Sequence, residues 1–327
     1  MRPYPLVLTP ILIPKVWGGR ALAALGKPLP PGEPIGESWE LADLASTSKD
    51  GAGGDAARST IANGGMRGLT LADAITAMGD NLMGDLRLTE SGGFPLLLKY
   101  LDARTNLSVQ VHPSPAYADR HPEVHLKTES WYIVDAQPDA VLYLGLREGL
   151  TKGDLERAIG DGSVGDLLIR VPARAGDCHT LPSGTLHALG GGVLVAEVQT
   201  PSDTTFRVFD WGREGRTLHV EQALACTDLG PLAPEHSKSA MDGGGLASTR
   251  YYTIERERWM DPTTVAFDAH RPSVLMCLDG AASLEHGEGE TTGVRKGDTV
   301  LLPSSVDTLT IAPDGVLEAL VVEFPDA

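Results

Sequence analysis

Short apolar runs separated by turn-forming residues dominate the pattern of the chain. Nine such runs stand out, each bounded by Gly, Pro, Asp or Ser: FPLLLKYL, LSVQVHP, SWYIVD, AVLYLGL, VLVAEVQT, TFRVFDW, SVLMCLDG, DTVLLPSS and VLEALVVEF. Apolar runs of this length and composition predict strands. Many short strands with turn signals between them are typical of a sandwich or a barrel, so we expect a mainly β protein.

Helical periodicity is confined to a few segments. The pattern predicts helices over residues 69–86 and 151–168, the second capped by Thr151 or Asp154, and a short third helix within 219–229. Residues 230–249 show no periodicity, which indicates a linker. The predicted division is therefore a first domain over 1–229 and a second over 230–327.

A weak internal repeat supports two similar β units. RAGDCHTLPS at 174–183 recurs as RKGDTVLLPS at 295–304, with a constant offset of 121 residues. Each copy also follows an apolar run that ends in Asp. Repetition of one supersecondary unit is the simplest explanation. The offset places Thr308 where the first copy has His187, so we expect the second unit to bind no metal.

Length and charge narrow the class of protein. A chain of 327 residues predicts about two domains, and 42% hydrophobic residues are enough for a sizeable core. Acidic residues number 44 and basic residues 27, for a formal charge of −17. This charge argues against nucleic acid or an anionic membrane as the main partner.

The cysteines and the N-terminus indicate a cytoplasmic protein. The three cysteines include no CxxC pair and form no disulfide framework, which favours a reducing compartment. Four prolines within the first 14 residues oppose a helical signal peptide. The chain has no run of the ~18 apolar residues that a membrane-spanning helix needs.

The run LSVQVHP carries the most informative polar residues. Strand side chains alternate between faces, so Ser108, Gln110 and His112 share one face. Three polar groups on one face of an apolar strand need partners. A metal or a polar ligand would provide them, and the alternative is an edge strand with a hydrated face.

Two further residues extend this set. Glu129 precedes an apolar strand in KTESWYIVD, and His187 lies in the glycine-bounded segment SGTLHALGGG. Together with Gln110 and His112 they form a mixed nitrogen and oxygen set that suits zinc or another divalent first-row ion. The alternatives are a surface carboxylate at the end of a strand and a structural histidine.

Charged residues inside other predicted strands suggest an anionic substrate. Lys99, Lys127 and Arg207 lie in or beside β segments of a strongly acidic chain, and Glu197 lies in VLVAEVQT. Cations placed there would attract an anion such as a sugar phosphate. The alternatives are an ion pair between Glu197 and Arg207, and lysines that reach solvent from the ends of strands.

These residues lie in five blocks between about Leu8 and Arg213: LTPILIPKVWGGRAL, IGESWELAD, FPLLLKYLDARTNLSVQVHP, LKTESWYIVD and GDCHTLPSGTLHALGGGVLVAEVQTPSDTTFRVFDWGR. The blocks resemble a known family, the type I mannose-6-phosphate isomerases or phosphomannose isomerases, in their short bacterial form. The resemblance implies two cupin-type β-sandwich or jelly-roll units with a few inserted helices. It also implies a zinc-dependent aldose–ketose isomerase that interconverts mannose 6-phosphate and fructose 6-phosphate.

The resemblance further implies roles for ten residues and one zinc ion per chain. The implied zinc ligands are Gln110, His112, Glu129 and His187. The implied catalytic residues are Arg207, Glu197 and Lys127, and the implied substrate-binding residues are Trp17, Lys99 and Ser108.

Isomerisation through an enediol needs a base that moves a proton between C2 and C1 of the open-chain sugar. We favour Glu197 for this role over Lys127. Two other functions are consistent with the same residues. One is a cupin metal oxygenase that uses His112, Glu129 and His187 as a facial triad. The other is a sugar-phosphate binding protein without catalysis. The oligomeric state is not predicted.

Overall fold

Antiparallel strands are the main regular secondary structure of the protein. The structure is a computed structural model that describes residues 2–48, 53–121, 124–241 and 243–325. The N-terminal strands are β1 (Leu6–Thr9), β2 (Ile11–Gly19), β3 (Ile35–Leu41), β4 (Asp43–Leu44), β5 (Ala57–Arg58) and β6 (Thr60–Ile61). The central strands are β7 (Leu97–Ala103), β8 (Val109–Val111), β9 (Glu129–Ala136), β10 (Val141–Leu146), β11 (Leu168–Pro172), β12 (Asp177–Leu181), β13 (His187–Leu189), β14 (Val193–Gln199) and β15 (Phe206–Phe209). The C-terminal strands are β16 (Ser237–Ser239), β17 (Ala247–Ser248), β18 (Thr253–Trp259), β19 (Thr263–Ala266), β20 (Ser273–His286), β21 (Glu290–Arg295), β22 (Thr299–Leu302) and β23 (Thr308–Glu323). Each of the nine apolar runs contributes a strand, so the prediction of a mainly β fold is confirmed.

Helices are few and short. They are α1 (Leu71–Met78), α2 (Asp80–Met83), α3 (Pro115–Ala118), α4 (Lys152–Asp161) and α5 (Val220–Cys226), with 3₁₀ turns at 21–25, 64–66, 164–166 and 234–236. The predicted helix over 69–86 is divided at Gly79, whose φ of 52° ends α1. Thr151 caps α4 and Asp154 completes the capping box. No helix in the described ranges has the length and apolar character to cross a membrane.

Two sheets enclose the core of the first unit. The seven-stranded sheet has the order β16-β12-β9-β14-β7-β2-β3, and the five-stranded sheet has the order β11-β10-β13-β8-β15. Leu101, Trp131 and Val195 from the larger sheet share one buried cluster with Leu142 and Leu189 from the smaller sheet. Helices α4 and α5 pack their apolar residues on the outer face of the smaller sheet.

A third sheet of nine strands packs against the first unit. Its main path is β17-β18-β23-β20-β22-β1-β6, with β19 paired to β23 and β21 to β20. Tyr100 and Val198, from the seven-stranded sheet, share a buried cluster with Val274, Leu301 and Val322 from this sheet. The two units therefore bury one continuous apolar layer between them.

Strands cross the predicted domain boundary in both directions. Strand β1 pairs with β22, with Leu6 opposite Leu301. Strand β16, within residues 230–249, pairs with β12 of the first unit. The interpretation of 230–249 as a linker was wrong for its β16 and β17 portions, because backbone pairing holds these strands without an apolar pattern. A domain boundary after residue 229 remains a prediction.

The repeated segments adopt the same turn. Gly176 and Gly297 have φ values of 93° and 84°. Their amides donate to Ile133 and Cys277, each two residues before the Asp that ends the preceding run. The turns lead into β12 and β22, so the sequence repeat corresponds to a structural repeat.

Candidate metal centre and active site

A cavity of about 420 Å³ lies between the two sheets of the first unit. Seven of the ten residues predicted for the site line it: Trp17, Lys99, Ser108, Gln110, Lys127, Glu197 and Arg207. The other three residues, His112, Glu129 and His187, are buried and within 4.8 Å of one another through one ligand atom each. The structure therefore brings all ten residues into one region.

The His–Glu–His cluster is built at the ends of three strands. His112 directly follows β8, Glu129 begins β9 and His187 begins β13. The Nε2 atoms of His112 and His187 are each 3.3 Å from a different oxygen of the Glu129 carboxylate. One carboxylate thus lies between two imidazoles in the protein interior.

Backbone carbonyls fix the orientation of both imidazoles. His112 Nδ1 is 3.1 Å from the carbonyl oxygen of Thr204, and His187 Nδ1 is 2.8 Å from that of Thr185. A carbonyl oxygen can only accept, so each Nδ1 carries the proton and each Nε2 presents a lone pair to the cluster. This arrangement is typical of histidines that bind metals.

The protonation states and unsatisfied atoms of the cluster also fit a cation. Burial, together with the charge of Lys127, lowers the pKa of His112 to about 3, so the imidazole is neutral. Burial raises the pKa of Glu129, but the charge of Lys127 lowers it, and the pKa lies well below its usual range. His112 Nε2 and Glu129 Oε1 are buried without a hydrogen-bond donor, whereas Glu129 Oε2 is paired with Lys127. Neutral imidazole and carboxylate are the forms that bind metals.

Gln110 lies beside this cluster. Its Nε2 is 3.3 Å from His187 Nε2, and its Oε1 is 3.4 Å from Ser108 Oγ. Strand β8, which carries Gln110, lies between β13 and β15. The alternative of an edge strand with a hydrated face is therefore excluded.

Lys127 extends from the cavity to the cluster. Its Nζ is 2.7 Å from Glu129 Oε2. Burial lowers the pKa of Lys127, but Glu129 and Glu197 outweigh it and raise the pKa above its usual value. In this structure Lys127 is therefore an ammonium ion.

Glu197 belongs to a row of side chains that crosses the seven-stranded sheet. In register, Trp131, Glu197, Lys99 and Trp39 are successive neighbours on β9, β14, β7 and β3. Glu197 Oε1 is 3.1 Å from Lys99 Nζ, and Trp131 Nε1 donates to Glu197 Oε2 at 3.0 Å. Glu197 thus forms an ion pair with Lys99.

Arg207 forms part of the opposite wall of the cavity. It lies opposite Gln110 in the pairing of β15 with β8. Its Nε donates to Ser108 Oγ at 3.2 Å, and its Nη1 donates to the Thr217 carbonyl at 2.9 Å. The guanidinium is therefore held in place beside the predicted ligands.

The sequence reasoning missed several charged residues of the cavity, among them Lys15 and Glu37. Lys15 Nζ is 3.2 Å from Glu37, and Glu37 also accepts from Trp39 Nε1 at 2.6 Å. Burial raises the pKa of Glu37, but Lys15 and Lys99 outweigh it and lower the pKa to about 2. The available signal was their position in PKVWGG and IGESWELAD, two blocks that carry the family resemblance.

Known proteins of one activity resemble this chain over its whole length. Residues 6–145 match the family described as phosphomannose isomerase type I, catalytic domain. The chain is 34% identical to a mannose-6-phosphate isomerase of Streptococcus mutans, with 97% of each chain covered. It is 33% identical to a mannose-6-phosphate isomerase of Bacillus subtilis, with 98% of this chain and 99% of that protein covered. The crystal structure of the mannose 6-phosphate isomerase from Bacillus subtilis superposes with a TM-score of 0.82 at 29% identity, over 98% of this chain and 99% of that one.

Proposed function

Because the chain belongs to the type I mannose-6-phosphate isomerases, we propose that it interconverts mannose 6-phosphate and fructose 6-phosphate with one zinc ion per chain. One observation carries the zinc part of this proposal. Two imidazole nitrogens and a carboxylate converge in the interior, and His112 Nε2 and Glu129 Oε1 have no hydrogen-bond donor there. Such atoms are costly to bury unless a cation binds them.

Four side chains would hold the ion. His112 and His187 would bind through Nε2 and Glu129 through its carboxylate, in a donor set that suits zinc. Gln110 would bind through Oε1 after its amide rotates, which exchanges two atoms of nearly equal size. When bound, zinc polarises the oxygens of a carbonyl or hydroxyl substrate.

Glu197 is the proposed base. Removal of the proton from C2 of the open-chain aldose gives an enediolate, a proton passes from O2 to O1, and return of a proton to C1 gives the ketose. Lys99 forms an ion pair with the Glu197 carboxylate and Trp131 donates to it, so the two residues fix its position at the wall of the cavity. Lys127 is the competing candidate, and as an ammonium ion paired with Glu129 it would first have to lose a proton.

Arg207 is the proposed stabiliser of negative charge. Its guanidinium is buried and fixed by Ser108 and Thr217, so it needs little reorganisation when an oxygen of the substrate becomes anionic. Lys15, Lys99 and Arg207 together make the cavity suitable for an anionic sugar. Trp17 and Ser108 complete the proposed substrate contacts. Three free and buried cysteines support a reducing, cytoplasmic location.

A coupled assay tests the activity directly. Purified protein should convert mannose 6-phosphate to fructose 6-phosphate, lose this activity in a chelator and regain it on addition of zinc. Oxygen uptake measured on the same samples separates the isomerase from a metal oxygenase. Binding of the sugar phosphate without turnover would instead support a non-catalytic protein and refute the proposal.

A further inference from the structure

Gln199 lies between the sugar cavity and the proposed metal centre. It is the last residue of β14, two positions after Glu197, and is fully buried. Its register partner on β9 is Glu129, and its partner on β7 is Leu97, two residues before Lys99. A polar side chain at such a position needs all its hydrogen bonds.

All the hydrogen-bonding groups of the Gln199 amide have defined partners. Oε1 accepts from Lys99 Nζ at 2.8 Å, while Nε2 donates to the carbonyl oxygens of Thr200 at 2.9 Å and Ser202 at 2.5 Å. The reversed amide would set its oxygen against two carbonyls and its NH₂ against an ammonium ion. The orientation of the amide is therefore fixed. Its oxygen faces Lys99, and its NH₂ group holds the turn that follows β14 at residues 200–204.

The turn held by Gln199 orients a proposed zinc ligand. The Thr204 carbonyl is the partner of His112 Nδ1, and the Thr204 amide donates to Ser202 Oγ at 3.2 Å. Ser202 is also one of the residues whose carbonyl Gln199 holds. A chain of hydrogen bonds thus runs from Lys99 through Gln199 and Ser202 to Thr204 and His112.

The same turn contacts the segment that carries Lys127. The Thr200 amide donates to the Thr128 carbonyl at 3.1 Å, and the Thr128 amide donates back to Thr200 Oγ1 at 3.3 Å. Thr128 stands between Lys127 and Glu129. Displacement of the turn would therefore move two of the neighbours of the Glu129 carboxylate, His112 and Lys127.

We propose that Gln199 is a positioning residue that couples the sugar-binding lysine to the orientation of the zinc ligand His112. The inference rests on the proposed function, because it assigns Lys99 to the sugar and His112 to zinc. The two interactions of Gln199 can be tested separately, since its carbonyl oxygen accepts from Lys99 and its NH₂ group donates to the turn.

Two substitutions distinguish the hydrogen bond from Lys99 from the hydrogen bonds to the turn. Gln199→Met removes both functions at similar size, whereas Gln199→Glu keeps an acceptor for Lys99 and opposes the two carbonyls of the turn. Gln137→Met is the matched control, because Gln137 is an exposed glutamine elsewhere in the chain. The measurements are KM and kcat for mannose 6-phosphate, zinc affinity by competition with a chelator, and the melting temperature.

For Q199M we expect KM and the zinc dissociation constant each to rise by about 10-fold or more, the range typical of lost outer hydrogen bonds to metal ligands. For Q199E we expect the same loss of zinc affinity, with KM within about 3-fold of the wild-type value because Lys99 keeps its acceptor. Q137M should match the wild type in all four quantities.

Two results would overturn the inference. One is a lower melting temperature in both variants with zinc affinity and KM unchanged, which is the outcome of a purely structural role. The other is an equal rise in KM in both variants with zinc affinity unchanged. If Q199M does not fold, unchanged zinc affinity in Q199E is sufficient to refute the coupling. Failure of the wild type to isomerise mannose 6-phosphate would refute the proposed function instead. The competition for zinc would still test whether Gln199 orients the zinc ligand His112.

Discussion

Charged side chains in the cavity are held as alternating pairs. Lys15, Glu37, Lys99 and Glu197 follow one another along one wall, with N–O distances of 3.2, 3.9 and 3.1 Å. A buried charge is tolerated only when it is paired and hydrogen-bonded, and loss of one partner leaves the other uncompensated. Each of these residues therefore compensates the charge of its neighbour, and its removal would leave that charge buried without a partner.

Replacement of Arg207 tests its proposed role in the transition state. Arg207→Ala should lower kcat by about 10²-fold or more, because the fixed guanidinium would no longer stabilise charge that develops during the reaction. Steady-state kinetics with mannose 6-phosphate measure this. A rise in KM with kcat unchanged would place Arg207 in uniform binding of the phosphate instead.

Replacement of Glu37 tests the row of paired charges in the cavity, through the dependence of stability on pH. The folded-state pKa of Glu37 is about 2, below the usual 4.5, so its contribution to stability is present above pH 4.5 and is lost as the pH falls toward 2. At neutral pH Glu37→Gln should be less stable than the wild type by up to about 3 kcal/mol. Urea unfolding at a series of pH values should show this difference shrinking on acidification. A difference that is independent of pH would contradict the assignment.

The sequence located some of these residues and could not locate others. Alternation of side chains along one strand placed Ser108, Gln110 and His112 on a common face. Lys15 faces Glu37 because β2 pairs with β3 and because the register of this pairing shifts between Pro14 and Gly19. Patterns within one strand do not contain that information.

At the scale of elements, a bulge in β2 delivers two residues to the cavity. Pro14 and Gly19 both have Ile35 as their partner on β3, so residues 15–18 bulge out of the ladder. Gly36, on β3, lies under this bulge. A Cβ atom on Gly36 would be 2.6 Å from Lys15 Cβ and 2.8 Å from Trp17 Cζ3. The bulge therefore needs glycine beneath it.

An alanine at this position tests the bulge. Gly36→Ala should displace Lys15 and Trp17 and raise KM for mannose 6-phosphate by about 10-fold, since a small misplacement at a site is costly. Zinc content should stay unchanged because the metal cluster lies on other strands. Gly160→Ala is the control, because a Cβ at Gly160 in α4 meets no atom within 4 Å. Unchanged kinetics in G36A would show that the bulge has no role in substrate binding.

Element type was more predictable than element pairing. Apolar runs identified the long strands, and Thr151 was one of the two residues predicted to cap α4, because both signals are local. The two-residue strands β4, β5, β6 and β17 carry no periodicity of their own. Their backbone groups pair because neighbouring strands offer partners, which is a property of the tertiary structure.

At the scale of the whole molecule, a buried ion pair lies where the two units meet. Lys27 Nζ is 2.6 Å from Glu40 and donates to the Gly297 carbonyl at 2.5 Å, and Thr299 also donates to Glu40 at 3.3 Å. Burial raises the pKa of Glu40 despite this pairing. Lys27 and Glu40 come from the first unit, whereas Gly297 and Thr299 belong to the second β unit. The pair therefore fixes one unit on the other.

Removal of the lysine tests the contribution of this contact. Lys27→Met should lower the free energy of unfolding by about 3–5 kcal/mol, because it leaves a buried carboxylate without its partner. Urea unfolding measures the change, and Lys152→Met serves as the control at an exposed lysine. Addition of Glu40→Gln to K27M should recover part of the loss. Wild-type stability in K27M would mean that apolar packing and strand pairing join the units without this ion pair.

Zinc titration of metal-free protein tests the central claim most directly. Protein stripped with a chelator is loaded with increasing zinc, and bound zinc and isomerisation of mannose 6-phosphate are measured on the same samples. We expect activity to rise in proportion to occupancy and to stop rising at about one zinc per chain, as one site with imidazole and carboxylate ligands predicts. Full activity in the stripped protein, or activity that does not follow zinc occupancy, would contradict the account.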